Sequence, residues 1–267
     1  MSAHPLSFVS FLAPSMQPVY EAITAYVAKV LGRPTQYYTG TSFGQFTTAG
    51  ADFGFSCGLP YVLLTRRPNP VVQLVAAPVL QGERYHHQPI YFSDVIVRPD
   101  APYKSFADLK GTVWAYNDIR SHSGYNITRY KLVTMGELAG FFGRVEEAGS
   151  HQQAIRLLLA GKIDAAAIDS QILGMELRDQ PELKDNIKII DTLGPAHIQP
   201  IVAASTVDPA TVAAVQQALL KAHEDPQMRS ALDFGLIERL VTVTDSDYDD
   251  IRQMVEAAER VGFYVLQ

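Results

Sequence analysis

The sequence predicts an α/β protein built as two lobes, and three observations carry that expectation. Dividing 267 residues by about 150 per domain gives a soft prior of two domains. Short β-rich runs alternate with amphipathic helical spacings from residue 6 onward, and the alternation starts afresh near residue 112, so two αβ blocks follow one another. With 47% hydrophobic and 19% charged residues there is material for a sizeable core and too little charge for disorder.

The elements follow in order. Residues 6–12 read as a strand, stopped by Pro14 and Ser15, which open a helix carrying Val19, Ile23, Tyr26, Val27 and Val30 on one face. Gly32 and Pro34 close it. Residues 35–39 form a strand, Thr41 or Ser42 caps a short helix, and residues 52–56 form another strand. Residues 71–79 and 90–98 are β-like, with a polar loop over 81–89 between them. Ser105-Phe-Ala-Asp108 is a capping box. The second block then begins with a strand over 112–116, a Ser/Gly turn and a helix over about 123–135. A short strand at Val145 precedes a helix capped by Ser150, a small-residue strand over 163–168, and a helix from Asp169 or Ser170 to Leu177. After a strand over 187–190 comes a Gly/Pro-containing passage, Gly194-Pro-Ala-His-Ile-Gln-Pro200, and then a strand over 201–204. Asp208-Pro209, Asp225-Pro226 and Ser246 or Asp247 open three further helices. There is no internal repeat.

Lys+Arg of 22 against Asp+Glu of 28 leaves a net charge of −6, which disfavours nucleic acid as a partner while leaving room for a small anion held by local donors. The apolar stretch 71–80 is broken by Gln73 and Pro78 and falls short of the roughly 20 residues a membrane span requires, so no membrane insertion is expected. Met1-Ser-Ala-His-Pro5 has no basic n-region and the run over 6–12 is too short for a signal h-region, so the chain as written carries no export address. The single Cys57 excludes an internal disulfide and fits a reducing compartment or an unstapled periplasmic protein equally.

The most informative stretch is Tyr116-Asn-Asp-Ile-Arg-Ser-His-Ser-Gly-Tyr125. A strand feeds a turn that opens a helix, so Ser121, Ser123 and free backbone N–H groups around Gly124 converge where an anion is favoured. A serine there is also an ordinary N-cap; two serines and His122 in one turn exceed what capping needs. His151 follows Ser150 at a helix start, after a strand, where open α/β sheets bind ligands, although a lone surface histidine fits the same pattern. His86 and His87 read as a solvated loop and Cys57 as an inert buried thiol. Phe43, Tyr61 and Tyr91 read as pocket wall or core packing. No P-loop, dinucleotide fingerprint, zinc motif or G-x-S-x-G elbow is present.

Together, Ser105-Phe-Ala-Asp-Leu-Lys-Gly111, Ser121-His-Ser-Gly-Tyr125, Gly149-Ser-His151 and Ala160-Gly-Lys-Ile-Asp-Ala-Ala-Ala-Ile-Asp-Ser170 resemble the solute-binding proteins of ABC importers for phosphonate and related oxyanions. The resemblance runs over about residues 5–225. It implies a two-lobed fold of the type II periplasmic binding proteins with a ligand cleft between the lobes. Lobe 1 is then expected over 1–96 and 201–267, including the C-terminal helices, and the anion-gripping lobe 2 over 97–200. The resemblance implies ligand contacts from Ser121, His122, Ser123, Gly124 and His151, with Tyr91, Phe43 and Tyr61 as the opposing wall. His122 stands where the family has threonine, and Phe43 where it has a tyrosine. The carboxylates that receive the ammonium of aminoalkyl ligands fall here on Gln171 and Gln199, neutral amides, so phosphate, phosphite or an alkylphosphonate without an amino group is the expected ligand. No cofactor or metal is expected. An ABC-transporter membrane subunit is the expected partner, and an extracytoplasmic location follows from the resemblance. A cytosolic sensor of the same fold is the first alternative, because of the bare N-terminus. An enzyme of pyrimidine or thiamine-precursor type on this scaffold is the second.

Overall fold

A computed structural model describes residues 4–48 and 50–267; Met1, Ser2 and Ala3 of the N-terminal reading lie outside the described residues. The first stretch of chain gives β1 (Leu6–Ser10), α1 (Gln17–Leu31), β2 (Thr35–Thr39), β3 (Phe53–Phe55), α2 (Gly58–Thr65) and β4 (Val72–Leu80). Next come β5 (Ile90–Val97), β6 (Val113–Tyr116), α3 (Ile127–Thr134), β7 (Arg144–Glu147), α4 (His151–Leu159), β8 (Ala165–Asp169), α5 (Ser170–Asp179), α6 (Leu183–Asn186) and β9 (Lys188–His197). The chain ends with β10 (Ile201–Ala204), α7 (Pro209–Leu220), α8 (Pro226–Phe234), β11 (Ile237–Val241) and α9 (Asp249–Arg260). The described residues divide into two units. One runs to Ile90 and resumes over His197–Tyr248; the other takes Tyr91–Ala196 and Asp249–Gln267.

In the first unit the sheet order is β11-β4-β10-β3-β1-β2. β1 is buried along its whole length, as a central strand must be when helices cover both faces. It pairs in parallel with β2 and β3, whereas β10 enters antiparallel between β3 and β4. α1 buries Val19, Ile23 and Val27 at helical spacing and stops at Gly32, whose φ of 60° lies in the left-handed region open to glycine.

The second unit's sheet runs β7-β6-β8-β5-β9. β6 is parallel to β7 and β8, while β5 runs antiparallel to β8. One face packs Trp114, Phe106, Phe141 and Phe142 as an aromatic cluster, with Trp114 stacked on Phe142 at 4.8 Å. The other face closes on α4 through Ile96, Ala115, Ile155 and Leu158. The all-buried Ala165-Ala-Ala-Ile-Asp169 strand lets layers on both sides approach closely.

The structure departs from the sequence reading at several places. The C-terminal helices do not all return to the first unit: α7 and α8 do, but α9 and the segment after it pack on the second. Met254, Phe263 and Leu266 join the Trp114 cluster, and the Leu266 N–H donates to the Tyr125 hydroxyl at 3.0 Å. The unit boundaries accordingly fall at 90/91, 196/197 and 248/249, not at 96/97 and 200/201. The strand expected to end at Ile190 runs on through Gly194-Pro195 as β9, which sits at the sheet edge, where a proline's missing N–H leaves no ladder bond unmade. Elements without a sequence signal include β11 and α2. β11 carries a bulge between Ile237 and Arg239, which destroys the period-2 pattern. α2 has Pro60 in its first turn, where the backbone N–H would be unpaired anyway. Cys57 is its N-cap and is half-exposed rather than buried.

The docking of the C-terminal segment has a measurable consequence. Leu266→Ala removes a side chain only 4% exposed from the Trp114 cluster, and the expected loss is about 2–5 kcal/mol. Urea unfolding followed by Trp114 fluorescence, the sequence having one tryptophan, reads it directly; an unchanged midpoint would show that the segment is not docked.

Candidate functional site

The second unit gathers Ser121, His122, Ser123, Gly124 and His151. β6 ends at Tyr116, and after a short loop the chain enters a single π-type turn over His122–Asn126 that runs directly into α3. Such wide turns often mark functional positions. The Asn126 N–H reaches back to the Ser121 carbonyl at 3.1 Å. Ser121 itself is extended, and its Oγ accepts from the Gly124 N–H at 3.1 Å. From there a chain of side chains leads on. Ser121 Oγ lies 3.4 Å from Ser123 Oγ, and Ser123 Oγ is 3.1 Å from His151 Nε2. Ser150 caps α4 by accepting from the Gln153 N–H, which sets His151 as the first helical residue.

The Ser121, His122, Ser123 and His151 side chains are all buried. Burial alone pulls both the His122 and the His151 imidazoles down from 6.5 to about 3, so at neutral pH both rings are uncharged. His151 Nδ1 is buried without a hydrogen-bond partner among the described residues. The arrangement is a set of hydroxyls, imidazole nitrogens and backbone N–H groups at a turn, with no formal charge: a neutral grip that suits an oxyanion through hydrogen bonds.

Tyr91, in the same unit, places its ring 6.2 Å from that of His122. Gln171 is buried in the first turn of α5, just past β8. The neighbouring Asp169 carboxylate is engaged as the cap of that helix, Oδ1 accepting from the Gln171 N–H at 2.8 Å. Ser170 Oγ accepts from the Phe92 N–H at 3.1 Å, joining the start of α5 to β5. The remaining expected residues belong to the first unit. Phe43 lies in a short helical turn against Phe11, rings 4.2 Å apart. The Tyr61 hydroxyl donates to Asp245 at 2.5 Å and its ring packs on Tyr248, so its bonding serves the unit's own core. Gln199 is half-buried, between β9 and β10. His86 and His87 are exposed, as expected of a solvated loop, and His87 pairs with Glu238 at 2.7 Å.

Sequence reasoning missed three residues. Asn117 packs so tightly on the turn that a Cβ at Gly124 would stand 2.0 Å from its Oδ1, so any other residue at 124 would have to displace the Asn117 amide. Asn126 bonds His122, and Arg129 bonds Asn126. The spacings of four and three residues are those of helical neighbours, but they carry that meaning only once residue 122 is known to start the turn.

Two α/β units, each with a mixed sheet, match the fold of two-lobed periplasmic binding proteins. Over residues 7–248 the chain matches the family described as "ABC transporter, phosphonate, periplasmic substrate-binding protein", and it belongs to that family. It is thus a substrate-binding protein of transporter type, from a family of binding proteins and not of enzymes. Its fold is similar to that of PhnD1 from Prochlorococcus marinus in complex with methylphosphonate, with a TM-score of 0.82 at 17% identity, covering 96% of this chain and 97% of that one. A binding protein component of an ABC phosphonate transporter from Pseudomonas aeruginosa also gives 0.82, at 16% identity, over 96% of this chain and 87% of that one. A Xanthomonas citri protein bound to ATP gives 0.74 at 16% identity, covering 98% and 100%.

The two neutral imidazoles make stability depend on pH. The unfolded chain takes up protons near 6.5 and the folded chain only near 3. Stability is therefore full above about 6.5 and falls as pH drops from there, by up to about 1.4 kcal/mol per pH unit for each histidine. Between pH 7 and 5 the wild type should lose about 2 kcal/mol more than His151→Gln, measured by urea unfolding. Parallel curves would mean that the His151 ring is solvated in the folded protein.

Proposed function

We propose that this chain captures a small tetrahedral oxyanion, namely phosphate, phosphite or an alkylphosphonate without an amino group, at Ser121, His122, Ser123, Gly124 and His151. The observation that carries the reading is the continuous link from Ser121 Oγ through Ser123 Oγ to His151 Nε2, at 3.4 and 3.1 Å, set where a turn opens a helix. Hydroxyls and N–H groups arranged this way bond an anion without burying a cation that would need compensation in the empty state.

Tyr91 and Gln171 are assigned to the same site, Tyr91 through its place beside His122 and Gln171 through the resemblance. Phe43, Tyr61 and Gln199 are carried into the proposal from the resemblance alone. The amides at 171 and 199 offer no counter-charge to an ammonium group. An aminoalkyl phosphonate would thus leave its cation without a partner. The chain is read as acting outside the cytoplasm with an ABC-transporter membrane subunit, as its family does.

A thermal-shift panel with phosphate, phosphite, methylphosphonate and aminoethylphosphonate tests this. A ligand at about a hundredfold its Kd adds roughly 2.7 kcal/mol, and the expected order places every non-cationic ligand above aminoethylphosphonate. Aminoethylphosphonate as the tightest binder would overturn the selectivity. Ser123→Ala and His151→Ala should each weaken the best ligand by roughly tenfold or more, with circular dichroism unchanged; wild-type affinity in both would remove the site.

A further inference from the structure

His122 occupies the turn where the resemblance leads to threonine, and an imidazole helps an anion only if the nitrogen facing it carries the proton. The surroundings decide which nitrogen that is. Arg129 is buried in α3, and its guanidinium has only donors. Nη1 donates to the Tyr264 carbonyl at 2.7 Å and Nη2 to Asn126 Oδ1 at 3.2 Å. A guanidinium cannot face an amide NH2, so this contact fixes the Asn126 amide with oxygen toward Arg129 and nitrogen toward His122. The Asn126 Nδ2 then stands 3.2 Å from His122 Nδ1 as a donor. Nδ1 must accept, and the single proton of the neutral ring resides on Nε2.

We propose that Arg129 and Asn126 are positioning residues that hold His122 in its Nε2–H tautomer, so that the ring acts as a hydrogen-bond donor in the oxyanion site. The segment after α9 is part of the device, since it supplies the Tyr264 carbonyl that anchors Arg129. Arg129 also lies over the Tyr125 ring at 5.5 Å, which keeps its cation inside the fold and out of the grip. This inference rests on the proposed oxyanion site, but its structural half, the location of one proton, is measurable without any ligand.

The test is nitrogen NMR of the imidazoles in 15N-histidine-labelled protein at pH 7.5, with the His122 signals assigned by their loss in His122→Thr. In the wild type, Nε2 should appear protonated and Nδ1 bare. In Asn126→Asp, a carboxylate that still pairs with Arg129 accepts from the ring, so the proton should move to Nδ1. Methylphosphonate affinity, by calorimetry, should fall about tenfold or more. The same Asn126→Asp change made in the His122→Thr background should have a much smaller effect, because no ring remains to be reversed. A bare Nε2 in the wild type overturns the proposal. So does a proton that stays on Nε2 in Asn126→Asp, or an equal loss of affinity in both backgrounds. If the wild type binds none of the oxyanions, the site reading fails while the proton measurement still decides the tautomer; if it binds them with the proton on Nδ1, the tautomer inference alone falls.

Discussion

The hydrogen bond from the Asn126 N–H to the Ser121 carbonyl, 3.1 Å long and reaching back five residues rather than four, sets what the second unit can present. In a regular α-helix, residues two apart point to different sides, and Ser121 and Ser123 would have nothing to do with one another. Here Ser121 remains extended as a cap while Ser123 lies within the widened turn, and their hydroxyl oxygens come within 3.4 Å. The turn is held from outside as well: Asn117 fills the space beside Gly124, so a side chain at 124 would require the Asn117 amide to move. His151, delivered by a separate strand and helix, completes a group that no single segment of the chain contains.

That group carries no charge, and the cations nearest in sequence are withheld from it. Arg120 is folded back onto Asp118, bonding it through Nε at 3.0 Å and Nη2 at 2.7 Å. Arg129 is directed to a backbone carbonyl and an amide oxygen. A buried guanidinium in the grip would bind anions strongly but would stand uncompensated whenever the site was empty. Hydroxyls and neutral rings avoid that penalty and discriminate by geometry and by the match of donors to acceptors. The acidic balance of the whole chain, net −6, therefore says little about its ligand.

Much of both units was legible from local chemistry. Ser150, Asp208 and Asp225 cap helices where their sequence context places them, because capping needs only a side-chain oxygen and the next three backbone N–H groups. The Ser121 to Ser123 turn was readable for the same reason. What was not legible depended on contacts distant in sequence. α9 has a good apolar face, but nothing in that face says which of two cores it will cover; Met254, Phe263 and Leu266 choose the Trp114 cluster. Asn126 and Arg129 sit in an ordinary helical stretch, and their meaning arises only when the C-terminal backbone arrives to fix the guanidinium.

These two illegible features belong together. The match to the family spans residues 7–248, and the support for His122 comes from Tyr264, beyond that span. A threonine at position 122 would need no such support, because a hydroxyl rotates to donate or accept as its neighbours require. An imidazole has two chemically distinct nitrogens and one proton between them, and in the wrong tautomer its lone pair would face an anion. Exchanging a rotatable donor for a ring thus creates a need for a second residue that reads only one way, which an amide supplies, and a third that fixes the amide, which a guanidinium supplies. The chain from the Tyr264 carbonyl through Arg129 and Asn126 to His122 meets each of these needs in turn, and every link in it is dictated by what the previous group can donate.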